Sequence, residues 1–155
     1  MFHPIIGPDG KPLVLPPPTG LHLAGPRVQV SVGLAQSFAE ALLLRGEVIP
    51  DAVVGDALVD TGASHTCIDD AVAKNMGLPV VGRIKVGSAS HHSTEQNQYP
   101  IRIEFLGAGI TSNVLQAPAA ALAAQGLTML IGRDILQEFL LVYNGPIGQW
   151  TMVLA

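Results

Sequence analysis

The clearest pattern in the chain is a strict alternation at residues 28 to 34, where Val28, Val30, Val32 and Leu34 are separated by Gln29, Ser31 and Gly33. A period of two marks a half-buried strand. The same period returns at Ile101, Ile103 and Phe105, interleaved with Arg102 and Glu104, while Ile84 and Val86 begin the other arm of a long hairpin over residues 83 to 105. Further strands are predicted from Ala52 to Val59, over 110 to 115 and from Thr128 to Ile131. Leu140 to Tyr143 and Gln149 to Leu154 flank Asn144-Gly145-Pro146-Ile147-Gly148, turn residues that predict a last hairpin.

Helical signals are short. Ser37-Phe38-Ala39-Glu40 has capping-box spacing, Ala41 to Arg45 are good helix formers, and Gly46 can close the last turn. Asp69 or Asp70 can cap a helix running to Met76, stopped by Gly77 and Pro79. The Ala-rich stretch 117 to 126 reads as a loop or short helix. Ahead of these, Pro4, Pro8, Pro12, Pro16, Pro17, Pro18 and Pro26 make residues 1 to 26 an extended, Pro-rich arm in which no regular helix is expected. One domain, residues 27 to 155, follows the arm.

Two predicted strands run into loops that carry chemistry. The first reads Ala57-Leu58-Val59-Asp60-Thr61-Gly62-Ala63-Ser64, and the second Met129-Leu130-Ile131-Gly132-Arg133-Asp134-Ile135-Leu136. A lone Asp-Thr-Gly is often only a turn, since Asp and Gly favour turns. An apolar pair running into Asp-Thr-Gly, answered downstream by an apolar pair running into Gly-Arg-Asp with a hairpin between, resembles the retropepsin-like, retroviral-type aspartic protease family. The resemblance covers about residues 27 to 154. It implies an all-β acid-protease fold, a single domain with short helices, one of them from Asp134 to Phe139 after Gly132, that forms half of a two-fold symmetric dimer. Asp9, Asp51, Asp56, Asp69, Asp70 and Asp134 all lack a following Thr/Ser-Gly, so the chain holds one half of a two-carboxylate site. A second copy has to supply the other half.

Peptide hydrolysis without a metal or a nucleophilic side chain needs an activated water and a polarised carbonyl together. Two carboxylates sharing one proton provide both, the ionised one as general base and the protonated one as general acid. The resemblance assigns this role to Asp60 and its copy. It implies that the Thr61 hydroxyl reaches across the two-fold axis to the partner loop, and that Gly62 clears space beside the carboxylates. Leu58, Val59, Leu130 and Ile131 are expected to wall the loops in a dry core. Substrate contacts are implied at Ala63 and Ser64 and, from the flap-like hairpin, at Ser88, Ala89, Ser90 and His91, with the flap tip near Ala89 to His92. Pepsin-like enzymes commonly carry a serine where this chain has Ala63. The family pairs the downstream Arg with a carboxylate where this chain has Ser64, which leaves Asp69, Asp70 or a carboxylate of the other chain as candidate partners for Arg133. The function implied is an aspartic endopeptidase acting on polypeptide substrates as a homodimer, with no cofactor. The alternative is a catalytically idle dimer that binds extended peptides or scaffolds a complex.

Composition narrows the picture further. At 155 residues the chain fits one domain, where both aspartates in one chain would need about two. Hydrophobic residues make up 48% and charged residues 13%, a low share that predicts apolar surface covered by a partner. The net charge of −4 gives no reason to expect nucleic acid or an anionic membrane as partner. The single Cys67 excludes an internal disulfide and a thiolate zinc cluster, and it reads as a small buried thiol on the strand leaving the Asp60 loop. His91 and His92 have no carboxylate or cysteine spacing around them, so no metal site is expected and solvated loop residues are the simpler reading. The N-terminus lacks a secretory pattern, and no stretch approaches the ~20 apolar residues of a membrane span. These features predict a cytoplasmic protein.

Overall fold

The computed structural model describes residues 5–6, 12–13, 15–88 and 91–155. In chain order the elements are β1 (Ile5–Ile6), β2 (Pro12–Leu13), α1 (Pro17–Ala24), β3 (Arg27–Leu34), α2 (Gln36–Leu44), β4 (Val53–Val59), β5 (Cys67–Asp69) and α3 (Asp70–Asn75). They continue with β6 (Gly82–Ser88), β7 (His91–Phe105), β8 (Ile110–Ala120), β9 (Met129–Ile131), α4 (Arg133–Leu136), β10 (Phe139–Asn144) and β11 (Gln149–Leu154). Strands β3, β4, β9, β5, β8 and β7 pair in that order, and β3 also pairs with β7, which closes the six into a barrel. Strand β6 is added outside, as the second arm of the hairpin with β7.

The two alternating segments of the sequence close this ring. Antiparallel pairing sets Val30 against Phe105, Val32 against Ile103 and Leu34 against Ile101, so both apolar faces point to one interior. All six side chains are buried. Burial of each stabilises the fold by roughly 2 kcal/mol relative to exposure. A one-residue slip of either strand would turn its whole apolar set to solvent, which fixes the register.

Four local expectations need correction. The arm is not extended throughout, because Pro17 to Ala24 form a helix. Its prolines occupy the first helical positions, where a missing N–H removes no intrahelical bond and the fixed φ suits the helix. The helix lies against the terminal hairpin; Gly148, with φ +66°, leaves no room for a Cβ against the backbone of Pro17. Second, Ser37 does not form a capping box. Helix α2 is capped two residues earlier, at Ala35, and Asn113 Oδ1 of β8 accepts from the Gln36 N–H at 3.0 Å. Glu40 instead accepts from the Gln36 side chain one turn back, at 2.9 Å. Third, residues 117 to 120 extend β8, and only Ala123–Gln125 coil into a 3-10 turn. Helix α4 is also shorter than its sequence signal, since Phe139 is taken into the β10–β11 ladder opposite Leu154.

Other expectations hold. Asp69 caps α3 by accepting from the Val72 N–H at 3.1 Å, and Gly77 (φ +71°) ends it in a conformation that favours glycine. The hairpin of β6 and β7 and that of β10 and β11 lie where the sequence predicts them.

Candidate active site

Strands β4 and β9 run parallel, with Leu58 beside Leu130 and Val59 beside Ile131, and both end at the same level. One continues into Asp60 and the other into Gly132. The Asp60 N–H donates to Ile131 O at 3.0 Å, which fixes the point where β4 gives way to its loop. Val59 and Ile131 point into the core, whereas Leu58 and Leu130 are only half-buried. The expected dry wall is therefore half of what the four residues suggested, because neighbours along a strand face opposite sides. Leu58 is instead packed under Gly25, where a Cβ would lie 2.7 Å from Leu58 Cδ1.

The loop from Asp60 to Thr66 folds over the start of the second motif. Arg133 N–H donates to Ala63 O at 3.0 Å, and the Gly132 N–H donates to the Thr66 hydroxyl oxygen at 3.0 Å. That hydroxyl in turn donates to Asp134 Oδ1 at 2.7 Å. The Asp134 carboxylate also accepts from the Thr66 N–H, at 2.9 and 3.0 Å to its two oxygens, and from the Ile135 N–H at 3.0 Å. Thr66 is fully buried, so each of these bonds satisfies a group that water cannot reach. Gly132 is required by space and not by conformation: its φ of −90° is ordinary, but a Cβ would lie 2.6 Å from His65 O and 2.8 Å from Thr66 N.

Arg133 has no carboxylate partner among the described residues. Its Nη1 donates to Thr61 O at 2.7 Å and Gly62 O at 3.1 Å, so the guanidinium holds the Asp60 loop by its backbone. The two carboxylates considered as substitutes are engaged elsewhere. Asp69 accepts from Val72, Leu122 and Ala123 N–H groups, and Asp70 pairs with Lys74 Nζ at 2.6 Å. The bond from Lys74 holds the Asp70 carboxyl below its usual range. Two carbonyl acceptors in place of a carboxylate explain how Ser64 is tolerated where the family has an acid.

Asp60 itself is half-buried, with Oδ1 accepting from the Gly62 N–H at 2.8 Å. A Cβ on Gly62 would come within 3.0 Å of that oxygen, so a larger residue would crowd the carboxylate. Among the described residues no other donor reaches the Asp60 carboxylate. Thr61, Gly62, Ser64 and His65 are exposed, and Ser64 Oγ lies 3.1 Å from His65 Nδ1. Cys67 is half-buried, and burial, then the negative charges of Asp134 and Asp60, push its thiol up to about 11. Ser88 and His91 form the last described pair of the β6–β7 hairpin, after a register shift beyond Val86. Ala89 and Ser90, the expected flap tip, lie outside the described residues, as do the side chains of Ser88, His91 and His92. The described residues contain no group of three or more His, Cys, Asp or Glu able to hold a metal ion, and none of their helices is long and apolar enough to cross a membrane.

Sequence reasoning missed Thr66 as a structural centre and the inward role of Asp134. A threonine two positions beyond Ser64, matched to an Asp two beyond the downstream Gly, was the available signal.

The barrel thus brings an Asp-Thr-Gly loop and a Gly-Arg-Asp turn together at two parallel strand ends and ties them by hydrogen bonds. Residues 51–138, more than half of the chain, match the family described as "gag-polyprotein putative aspartyl protease". The chain belongs to this retropepsin-like aspartic protease family. Among solved structures it is similar to the retroviral protease-like domain of Ddi1 from Leishmania major, at 18% identity over 81% of this chain and 86% of that chain, with a TM-score of 0.39. No curated protein matches the sequence.

Proposed function

We propose that the protein is an aspartic endopeptidase that hydrolyses polypeptides as a homodimer, with Asp60 of each copy forming a shared-proton pair. The observation that carries this reading is the state of the Asp60 carboxylate. It stands at the end of a core strand, one oxygen oriented by the Gly62 N–H, the rest free of partners among the described residues. A carboxylate needed only for structure would be consumed as Asp134 is. Like charges about 3 Å apart cannot both ionise cheaply, so a pair of Asp60 groups on a two-fold axis would hold one proton between them. Water would lose its proton to the ionised member while the protonated member donates to the scissile carbonyl oxygen.

The remaining candidates take roles around this pair. The exposed Thr61 hydroxyl would bond the partner loop, Ala63 and Ser64 would border the bound peptide, and Ser88, Ala89, Ser90 and His91 would cover it from the hairpin. Apolar surface supports pairing of two copies: Leu140 is 60% exposed, and Val142, Tyr143, Val153 and Leu154 are each about half exposed on the β10–β11 hairpin. That hairpin pairs with no other described strand. Its apolar residues and open edges suit a terminal-strand contribution to the dimer interface.

The idle-dimer alternative rested on the missing acid at Ser64, and the carbonyl contacts of Arg133 remove that objection to an intact loop. The purified protein should cleave a peptide library, and a statine-type inhibitor should suppress the cleavage. Absence of inhibitor-sensitive cleavage from a demonstrated dimer favours the binding role. Cleavage by a strictly monomeric protein overturns the paired-Asp60 mechanism.

A further inference from the structure

One cleft of the described structure lies away from Asp60. It has a volume of about 540 Å³ and lies between α1, the start of β3, the turn from β7 to β8 and the inner face of the terminal hairpin. That volume is within the range of small-molecule sites. Its walls are mainly apolar, with Leu21, Val28, Phe105, Phe139, Trp150 and Met152 supplying most of them. The Phe105 and Phe139 rings meet with centroids 5.9 Å apart at a tilt of 50°, which gives the floor a fixed shape.

One lining residue is charged. Arg27 donates from Nε to Ala24 O at 3.1 Å and from Nη2 to Gln125 O at 3.4 Å, both neutral carbonyls. The lining contains no Asp or Glu, so no carboxylate in the cleft competes for Arg27. A half-buried guanidinium at the edge of an apolar cleft attracts an anion whose body is apolar. We propose that this cleft binds an amphipathic monocarboxylate, its chain or ring against the aromatic floor and its carboxylate on Arg27. The site is separate from the Asp60 loop and does not depend on the protease reading.

Trp150, the chain's single tryptophan, lines the cleft and reports its occupancy directly. Titration of the full-length protein with dodecanoate, below its micelle threshold, should change Trp150 emission in a saturable way. Dodecanol should bind about ten-fold more weakly, since it offers no charge to Arg27. Arg27→Met should abolish the difference between the two. A second variant covers the case in which Arg27→Met fails to fold. A Cβ on Gly20 meets nothing within 4 Å, so Gly20→Leu can enter the cleft without displacing neighbours, and a helical position favours it. It should leave the fold intact and remove dodecanoate binding. Equal affinity of wild type for dodecanoate and dodecanol overturns the proposal, as does undiminished binding by Gly20→Leu. A Trp150 signal that changes on dilution alone, with no response to dodecanoate, assigns the cleft to a second copy of the chain and overturns it equally.

Discussion

Asp60 and Asp134 are two aspartates in the same small space with opposite employment. Each follows an apolar strand of the same parallel pair, and the strands end level with each other. Asp134 spends its carboxylate inside the chain, on the Thr66 N–H, the Thr66 hydroxyl and the Ile135 N–H. Asp60 takes one bond, from Gly62, two residues along its own loop. The difference teaches that position beside the barrel end does not tell the two acids apart; the number of donors already aimed at each does, and the proposed reactive role of Asp60 rests on that count. The glycine that follows each strand end is likewise divided in purpose, Gly62 keeping space open at a carboxylate and Gly132 allowing backbone to touch backbone.

Replacing each aspartate separately is the most severe test of this contrast. Asp60→Asn nearly preserves shape and removes the titrating group, so peptide hydrolysis should fall by about 10³-fold or more, while unfolding stability should stay within about 0.5 kcal/mol. Asp134→Ala should do the reverse at the level of the fold. It strips acceptors from a fully buried Thr66, and unsatisfied buried donors of this kind cost about 1–3 kcal/mol. Urea unfolding at one fixed protein concentration measures the second effect, since stability of a dimer depends on concentration. The contrast breaks if Asp60→Asn keeps wild-type turnover or if Asp134→Ala unfolds at the wild-type midpoint.

Much of this arrangement was legible in the chain and some was not. The alternations at Val28 to Leu34 and Ile101 to Phe105 predict strands that the barrel closes on, because a period-two pattern has one way to hide its apolar face. The two motifs predicted the paired strand ends. Helix α1 was hidden because prolines were weighed by density, whereas a proline in the first turn of a helix costs no hydrogen bond. The caps of α2 and the partners of Arg133 were hidden for another reason. Asn113 lies 77 residues from Gln36, and the Thr61 carbonyl 72 from Arg133, so neither contact leaves a local trace.

A smaller effect is expected from Ala63→Ser. Ala63 follows Gly62, and its N–H donates to the backbone carbonyl of Asp60 at 3.2 Å, so a hydroxyl added here would sit in the same tight turn as the carboxylate and can be tested for a bond to it. Bonding the ionised form favours it and lowers the apparent pKa values of the Asp60 pair, so the pH-rate profile should move toward acid. A displacement of one unit corresponds to about 1.4 kcal/mol. An unmoved profile removes the role of Ala63 and leaves the protease reading standing.

The finest comparison of the two acids can be read from Cys67, which feels both charges. Burial is the main cause that raises its thiol to about 11, followed by Asp134 and then Asp60. The alkylation rate of Cys67 as a function of pH should therefore report a high pKa in the wild type and lower ones in the variants. Asp134→Asn should lower it more than Asp60→Asn, and neither should restore the ordinary thiol value of 9.0, because burial remains. The sign for stability follows from the same shift. The folded thiol holds its proton more tightly than the unfolded one, so its contribution is intact below pH 9 and is lost as pH rises toward 11. Cys67→Ala should flatten that decline in an unfolding series across pH 8 to 11. A larger response to Asp60→Asn than to Asp134→Asn would reverse this order and make the Asp60 charge the stronger of the two at Cys67.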